Sequence, residues 1–300
     1  MTAMDAPPPP VETSPLASHA LGFDIQASAT PPTPLVFASP HSGRDYPVDM
    51  RPALAGLAIR RSEDAYVDEL IAKAPQLGAA LITARQARAY MDVNREAFEL
   101  DASMFEDELP QFAQSRSARV AAGLGAIARV VAEGQEIYAR KLTFAEAKKR
   151  IEDIHAPYHA GLAQLIAQAH VAHGFAILID WHSMPAAAAR TGGRENSCDM
   201  VLGDRFGAAC SSLVTRTVET ELQAMGYRVA RNTPYAGGYT TEHYGRPAQG
   251  THALQIEINR GLYLDEANLT QTSGFSQLRA NLERLTRALA AKDWSSLGFK

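Results

Sequence analysis

Phe175–Ser183 reads FAILIDWHS. Its apolar run, Phe175 to Asp180, follows Gly174 and is too short for a helix but long enough for a buried strand. The run ends in Asp180, Trp181, His182 and Ser183, so the strand delivers reactive side chains at its carboxyl end. Working outward, the same design recurs. Leu35–Ser39 runs through Pro40 into His41. Ala89–Val93 carries Asp92 and runs into Asn94 and Arg95. Ala253–Ile258 carries Glu257 and runs into Asn259 and Arg260. Ala79–Thr83 and Tyr227–Ala230 are further strand-length runs.

Helix-length segments lie between them. Glu63–Ala74 (EDAYVDELIAKA) has apolar residues at helical spacing. Thr143–His173 opens with Thr143 and Glu146, a capping box in which each side chain satisfies an orphan amide of the other's residue. Pro157 should kink or divide that helix. Leu278–Ala291 places Leu278, Leu282, Leu285 and Leu289 on one face. Strands alternating with helices predict an α/β sandwich around a mostly buried sheet. In open α/β sheets the ligand crevice lies beyond the carboxyl ends of the strands. Four strand ends could therefore bring histidines, arginines and carboxylates to one edge.

Composition narrows the function. The 300-residue chain is 46% hydrophobic and 21% charged, as expected of a folded protein rather than a disordered one. Its formal net charge is −4, with no basic block, which argues against nucleic acid as a ligand. No run approaches the roughly 18 apolar residues of a membrane span. Two cysteines, Cys198 and Cys210, make no disulfide framework, and no secretory signal is visible. The expectation is a cytoplasmic protein acting on a small molecule. Residues 1–20 are Pro-rich and read as a flexible tail, and residues 21–300 as a single catalytic domain.

Several motifs are missing. There is no GxGxxG after a strand, no P-loop, no GxSxG elbow and no HExxH. His155 and His159 are four residues apart, but Ala156 and Pro157 follow the first, so a helix-face packing pair is the simpler reading. His41 and His182 are better metal candidates, each at a strand end beside a serine. A catalytic zinc takes three protein ligands and keeps one position open. Two histidines and a carboxylate would supply them, and Glu63 and Asp64 are both candidates for the third.

Seven blocks together carry a resemblance: PHSGRDYP (Pro40–Pro47), EDAYVDEL (Glu63–Leu70), MDVNR (Met91–Arg95), PYHAGL (Pro157–Leu162), DWHSMP (Asp180–Pro185), NTPYAGGYTTEHYG (Asn232–Gly245) and LQIEINRGLY (Leu254–Tyr263). In this order, over about residues 33–266, they resemble the N-formylglutamate amidohydrolase family, which is similar in fold to the zinc carboxypeptidases. The resemblance implies a three-layer α/β/α sandwich with a mixed central sheet and one divalent metal, zinc. It implies that His41 and His182 ligate the metal and that Glu257 activates water as general base and acid. Asp92 would orient the first histidine from behind, as metal-bound imidazoles require, and Asp180 is assigned the same kind of role. Asn94 and Arg95 resemble a pair that binds a substrate α-carboxylate. One departure matters. Zinc carboxypeptidases place their carboxylate ligand three residues after the first histidine, where this chain has Arg44. The third ligand is therefore expected to be Asp64.

Amide hydrolysis also needs a cation at the developing oxyanion. Arg88 is expected there, with Arg85 as the alternative. The implied substrate is N-formyl-L-glutamate, cleaved to formate and L-glutamate as a step of histidine degradation. Arginine suits bidentate carboxylate recognition, so Arg95 and Arg260 are the expected binders, joined by Tyr235 and Gly238. Asn232–Gly250 reads as a mobile loop that closes over the ligand. Two rivals stand beside this reading: a deacylase of another N-acyl amino acid, and a non-catalytic binder of anionic amino acids. The combination of His41, His182 and Glu257 argues against the second.

Overall fold

The computed structural model describes residues 22–131, 134–190 and 197–298, so the Pro-rich stretch read as a tail lies outside the described residues. Its centre is a seven-stranded sheet of β1 (Phe23–Gln26), β2 (Leu35–Ser39), β3 (Ala80–Ala84), β4 (Ala176–Met184), β5 (Met200–Gly203), β6 (Val229–Arg231) and β7 (Thr251–Asn259). The strand order is β1-β3-β2-β4-β7-β5-β6. The middle strands β3, β2, β4 and β7 are parallel, whereas β1 runs antiparallel to β3 and β5 antiparallel to β7. The sheet is therefore mixed.

Three short helices follow the early strands: α1 (Leu57–Arg60), α2 (Val67–Leu70) and α3 (Ala118–Ala121). Then come α4 (Phe144–Arg150), α5 (Ala156–His173), α6 (Ser212–Ala224), α7 (Tyr239–Tyr244) and α8 (Gly274–Ala291). Period-two alternation along β2 and β4 sorts side chains to the two faces. Val36, Ala38 and Leu178 pack with Tyr158, Leu162 and Leu165 of α5. Leu35, Phe37, Ile177 and Ile179 pack instead with α6 and α8, including Leu278, Leu282 and Leu285. Each fully buried aliphatic or aromatic side chain contributes roughly 1.5–3 kcal/mol by leaving water. The result is the expected α/β/α sandwich. No helix among the described residues is long and apolar enough to cross a membrane.

Local departures from the sequence reading have identifiable causes. Ala89–Val93 is buried but is not a strand. Its amides turn inward, Tyr90 N–H to Ala87 O at 2.8 Å and Asp92 N–H to Ala126 O at 2.8 Å. Apolar content alone does not separate a strand from a buried turn. Glu63–Ala74 is not one helix: Tyr66 sits at φ 64°, only Val67–Leu70 is α-helical, and Ile71 leaves the helical conformation at φ −106° and ψ 7°. Thr143 and Glu146 do form a capping box. Where Pro157 was expected to interrupt the long helix, a π-helical turn, Ile151–His155, separates α4 from α5 just before it. Such a turn is one place where the proline's missing N–H is absorbed. The strands β1 and β5 escape the sequence reading, being four residues each.

Candidate active site and metal centre

Along β4 and β7 the alternation that builds the core also builds the site. In register, Asp180 sits beside Gln255 and His182 beside Glu257. These four occupy the face that earlier in the same strands carries Leu178 and Ala253, while Trp181 and Ile256 point into the opposite core. One face thus changes from apolar to polar toward the carboxyl ends. His41 arrives from the turn after β2. Asp64 is held beside it by its own backbone, Asp64 N–H donating to His41 O at 2.9 Å.

A carboxylate stands behind each of the two imidazoles, and for His41 it fixes the tautomer. His41 Nε2 lies 2.7 Å from Asp92 Oδ1. A carboxylate only accepts, so Nε2 carries the proton and Nδ1 presents a lone pair. His182 Nε2 lies 2.9 Å from Oδ2 of fully buried Asp180, which orients that ring in the same sense. The two Nδ1 atoms then face each other at 3.1 Å. Asp64 Oδ2 lies 3.1 Å from His182 Nδ1 and 3.5 Å from His41 Nδ1. With both Nδ1 atoms unprotonated, as a metal ligand requires, three electron-rich atoms converge. Ligand bonds of about 2.0–2.1 Å in a tetrahedral zinc site place neighbouring donors about 3.3 Å apart. The observed 3.1–3.5 Å spacing fits a divalent metal, and His41, Asp64 and His182 are the group that could hold it.

Glu63, the other carboxylate weighed for this place, points elsewhere. It pairs with Arg60 at 2.9 Å and accepts the Tyr46 hydroxyl at 2.6 Å. Adjacent residues leave the backbone in different directions, and the sequence alone does not say which turns inward.

The surrounding carboxylates are electrostatically differentiated. Burial pushes Asp64 up, but the adjacent imidazoles of His182 and His41 and the charge of Arg260 outweigh it and hold it well below the usual range. Asp92 is also held low, because Arg88, His41 and Arg95 outweigh its burial. Glu257 goes the other way. Burial, reinforced by the Asp64 charge, raises it to about 7 against the pull of His182, Arg260 and Arg88. Gln255 Nε2 donates to Glu257 Oε1 at 2.8 Å, and Gln255 Oε1 accepts Gly238 N–H at 2.7 Å. Gln255 therefore ties Glu257 to the loop above it, a link invisible in the sequence except as a polar residue two before Glu257.

The arginines are more committed than their sequence positions suggest. Arg88 Nη2 donates to Asp92 Oδ2 at 2.7 Å. Arg95 spends Nε on Leu124 O at 2.9 Å and Nη1 on Asn94 O at 2.8 Å. Arg260 binds Asp64 Oδ1 at 2.9 Å and Ser183 Oγ at 3.1 Å, holding the inner carboxylate from behind. Arg85, the alternative to Arg88, instead meets Asp24 and Asp45. Asn94 accepts Thr240 N–H at 2.8 Å, and its Nδ2 packs 3.2 Å from His182 Nε2. Arg88, Asn94, Arg95, Tyr235, Gly238 and Arg260 all line one cavity of about 640 Å³ together with the His–Asp–His group and Glu257. Arg61 and Arg119, not singled out from the sequence, line it too.

Asn232–Gly250 differs from the expected mobile loop. It contains α7, with Thr240 and Thr241 fully buried. Gly238 and Thr240 amides are bound by Gln255 and Asn94, and a Cβ on Gly238 would lie 2.6 Å from Asn94 Nδ2. Tyr235 faces the cavity, whereas Tyr239 and Tyr244 pack on the ring of His159. His155 and His159 donate to Arg95 O and Val93 O at 2.9 and 2.8 Å, straddling Asn94. The helix-face pair thus braces the turn that carries Asn94 and Arg95.

Known proteins share this architecture. The chain is similar to the N-formylglutamate deformylase of Pseudomonas aeruginosa, 29% identical over 273 residues, covering 88% of this chain and 92% of the relative. It is 27% identical over 264 residues to that of Pseudomonas putida, covering 86% and 92%. The crystal structure of N-formylglutamate amidohydrolase from Ralstonia eutropha JMP134 superposes with a TM-score of 0.86 at 36% identity, over 90% of this chain and 97% of that one. The family model for N-formylglutamate amidohydrolase matches residues 33–264. A hydrolase acting on an amide, this chain belongs to the N-formylglutamate amidohydrolase family.

Proposed function

We propose that this protein hydrolyses N-formyl-L-glutamate to formate and L-glutamate, as a step of histidine degradation in the cytoplasm. It would use one zinc ion held by His41, Asp64 and His182. The observation that carries this reading is the convergence of two imidazole lone pairs and a carboxylate beside a buried Glu257, inside an arginine-lined cavity. When bound, the ion supplies Lewis acidity, polarising the formamide carbonyl and making water a stronger acid.

The chain's own residues do the rest. Glu257, raised to about 7, takes a proton from water and returns it to the leaving amine. Its position in register with His182 keeps it next to the ligand group. Arg88 supplies positive charge at the developing oxyanion. Asp92 fixes the His41 tautomer, Asp180 places its charge behind the His182 ring, and Arg260 fixes Asp64. Arg95 and Asn94 form the floor on which the substrate α-carboxylate rests, under Tyr235 and the Gly238 turn.

A second reading is favoured by the cavity volume of about 640 Å³, which is ample for an N-acyl amino acid larger than the formyl compound. One experiment separates the two. Formate release from N-formyl-L-glutamate would be followed alongside acetate release from N-acetyl-L-glutamate, before and after chelation and zinc add-back. The proposal expects zinc-restored formate release that falls by orders of magnitude in Glu257→Gln, with metal content retained. Acetate release alone would establish the second reading. Undiminished turnover by Glu257→Gln would remove Glu257 from the chemistry.

A further inference from the structure

Arg119 stands on α3, in a stretch with little regular structure that forms the outer wall of the cavity. Ser117 caps that helix, its Oγ accepting Val120 N–H at 3.0 Å and donating to Glu99. The arginine's carbonyl receives Leu124 N–H at 2.8 Å, and Leu124 O receives Arg95 Nε–H. The segment that carries Arg119 is thereby fastened to the residue expected to hold the α-carboxylate.

The guanidiniums of Arg88, Arg95 and Arg119 line the same cavity as the metal ligands. Arg88 shares Asp92 with His41. Arg95 Nη2 lies 3.9 Å from the same Asp92. Burial holds the Arg95 guanidinium below its usual value, and the neighbouring charges of Arg88 and Arg119 push in the same direction. Arg119 is the most exposed of the three, its side chain 36% exposed. Its ion pair among the described residues is a long one, Nη1 to Glu99 Oε2 at 3.7 Å. That is beyond hydrogen-bond range.

Donor accounting separates Arg119 from the others. Arg95 and Arg260 spend several N–H groups on carbonyls, Ser183 and Asp64. Asp92 is already saturated by His41, Arg88 and Asn94 N–H. A wall with three guanidiniums and two engaged carboxylates carries surplus positive charge, and a partly buried surplus of this kind is relieved by a bound anion.

We propose that Arg119 receives the side-chain carboxylate of an N-acyl dicarboxylic amino acid and sets the preference for dicarboxylic over monocarboxylic substrates. The assignment rests on the reaction proposed above and deepens it. With the amide at the His–Asp–His group and the α-carboxylate at Arg95, the side-chain carboxylate is left for Arg119, the most exposed of the three arginines on this cavity.

The test uses the zinc-loaded full chain and two probes that differ in one charge, L-glutamate and L-glutamine. Calorimetric titration of the wild type is expected to show tighter glutamate binding. Arg119→Ala should lower glutamate affinity about 10–100-fold, as expected for loss of a charge-assisted hydrogen bond, and leave glutamine unchanged. Arg119→Lys should recover part of the preference. With N-formyl-L-glutamate the loss should fall on KM and leave kcat near wild type, which a merely structural role would not do. Equal affinity of the wild type for the two probes, or equal losses for both in Arg119→Ala, overturns the proposal. Formate release measured in parallel judges the reaction separately. A glutamate preference that disappears in Arg119→Ala, with no formate released by either protein, would sink the reaction and keep the Arg119 assignment.

Discussion

The wall made by β2, β4 and β7 and the wall made by residues 95–131 face the same cavity but are built differently. On the first, His182 and Glu257 lie on nine-residue strands with almost every position buried, and His41 follows a strand buried throughout. Each imidazole is braced by its own carboxylate. On the second, regular structure is confined to a few short turns, and the Arg119 guanidinium is held by a long ion pair to Glu99. Groups that must hold a metal and move protons need tight geometry, which packed strands supply. Groups that select a substrate sit on irregular chain, which can change without disturbing the core.

Three outcomes would break or sharpen this contrast. The largest is expected behind the metal ligands. Asp92→Asn should lower zinc affinity by about 10–100-fold, because it weakens the bond that fixes His41 Nδ1 toward the centre. Competition with a fluorescent chelator would measure it, and unchanged affinity would mean that packing alone orients the ring.

Next comes acid. His159 is held neutral, first by burial and then by the proximity of His155, with its value lowered to about 3. Its folded value lies below the unfolded one of about 6.5. Its contribution is therefore intact above pH 6.5 and drains as pH falls from 6.5 toward 3, at up to about 1.4 kcal/mol per pH unit. His155, also lowered by burial, acts in the same direction. Denaturant unfolding between pH 7 and 4.5 should show the decline, and His159→Gln should flatten it. An identical slope in the variant would show that the brace under Asn94 does not depend on a neutral His159.

The smallest effect belongs far from either wall. Thr143→Ala removes half of the capping box at the start of α4 and should cost about 1 kcal/mol, with KM and kcat unchanged. A change in KM would show that the brace reaches the cavity through the long helix.

How much was legible follows the same division. His41, His182 and Glu257 could be read from the sequence because a short apolar run fixes a strand, and alternation then fixes which polar residues share a face. Asp64 and Glu63 were readable only as a pair, since a turn decides which one points inward. The break in Glu63–Ala74 was not readable. Apolar spacing there suits a helix, but the left-handed Tyr66 delays its start and the non-helical Ile71 ends it after Leu70. Asn232–Gly250 looked mobile from its glycines and hydroxyls, but the side chains of Gln255 and Asn94 that bind its amides come from distant segments. Arg119 gave no signal at all, being one arginine in a Ser- and Ala-rich stretch.

The π-helical turn at Ile151–His155 has a consequence for how this chain tolerates change in length. That turn holds one residue more than an α-turn, so a deletion inside it closes it to an α-turn and leaves the phase of α5 unchanged, whereas a residue removed just after it, at the start of α5, would rotate everything downstream by about 100°. Leu162 and Leu165 would leave the sheet, and His159 would swing away from Val93. Here the count of residues is itself under constraint, whatever their identity. Between Asp101 and Leu142, where the chain keeps no helical phase for long, an added residue displaces only its neighbours. Indels among relatives should therefore collect in that wall and avoid the long helix.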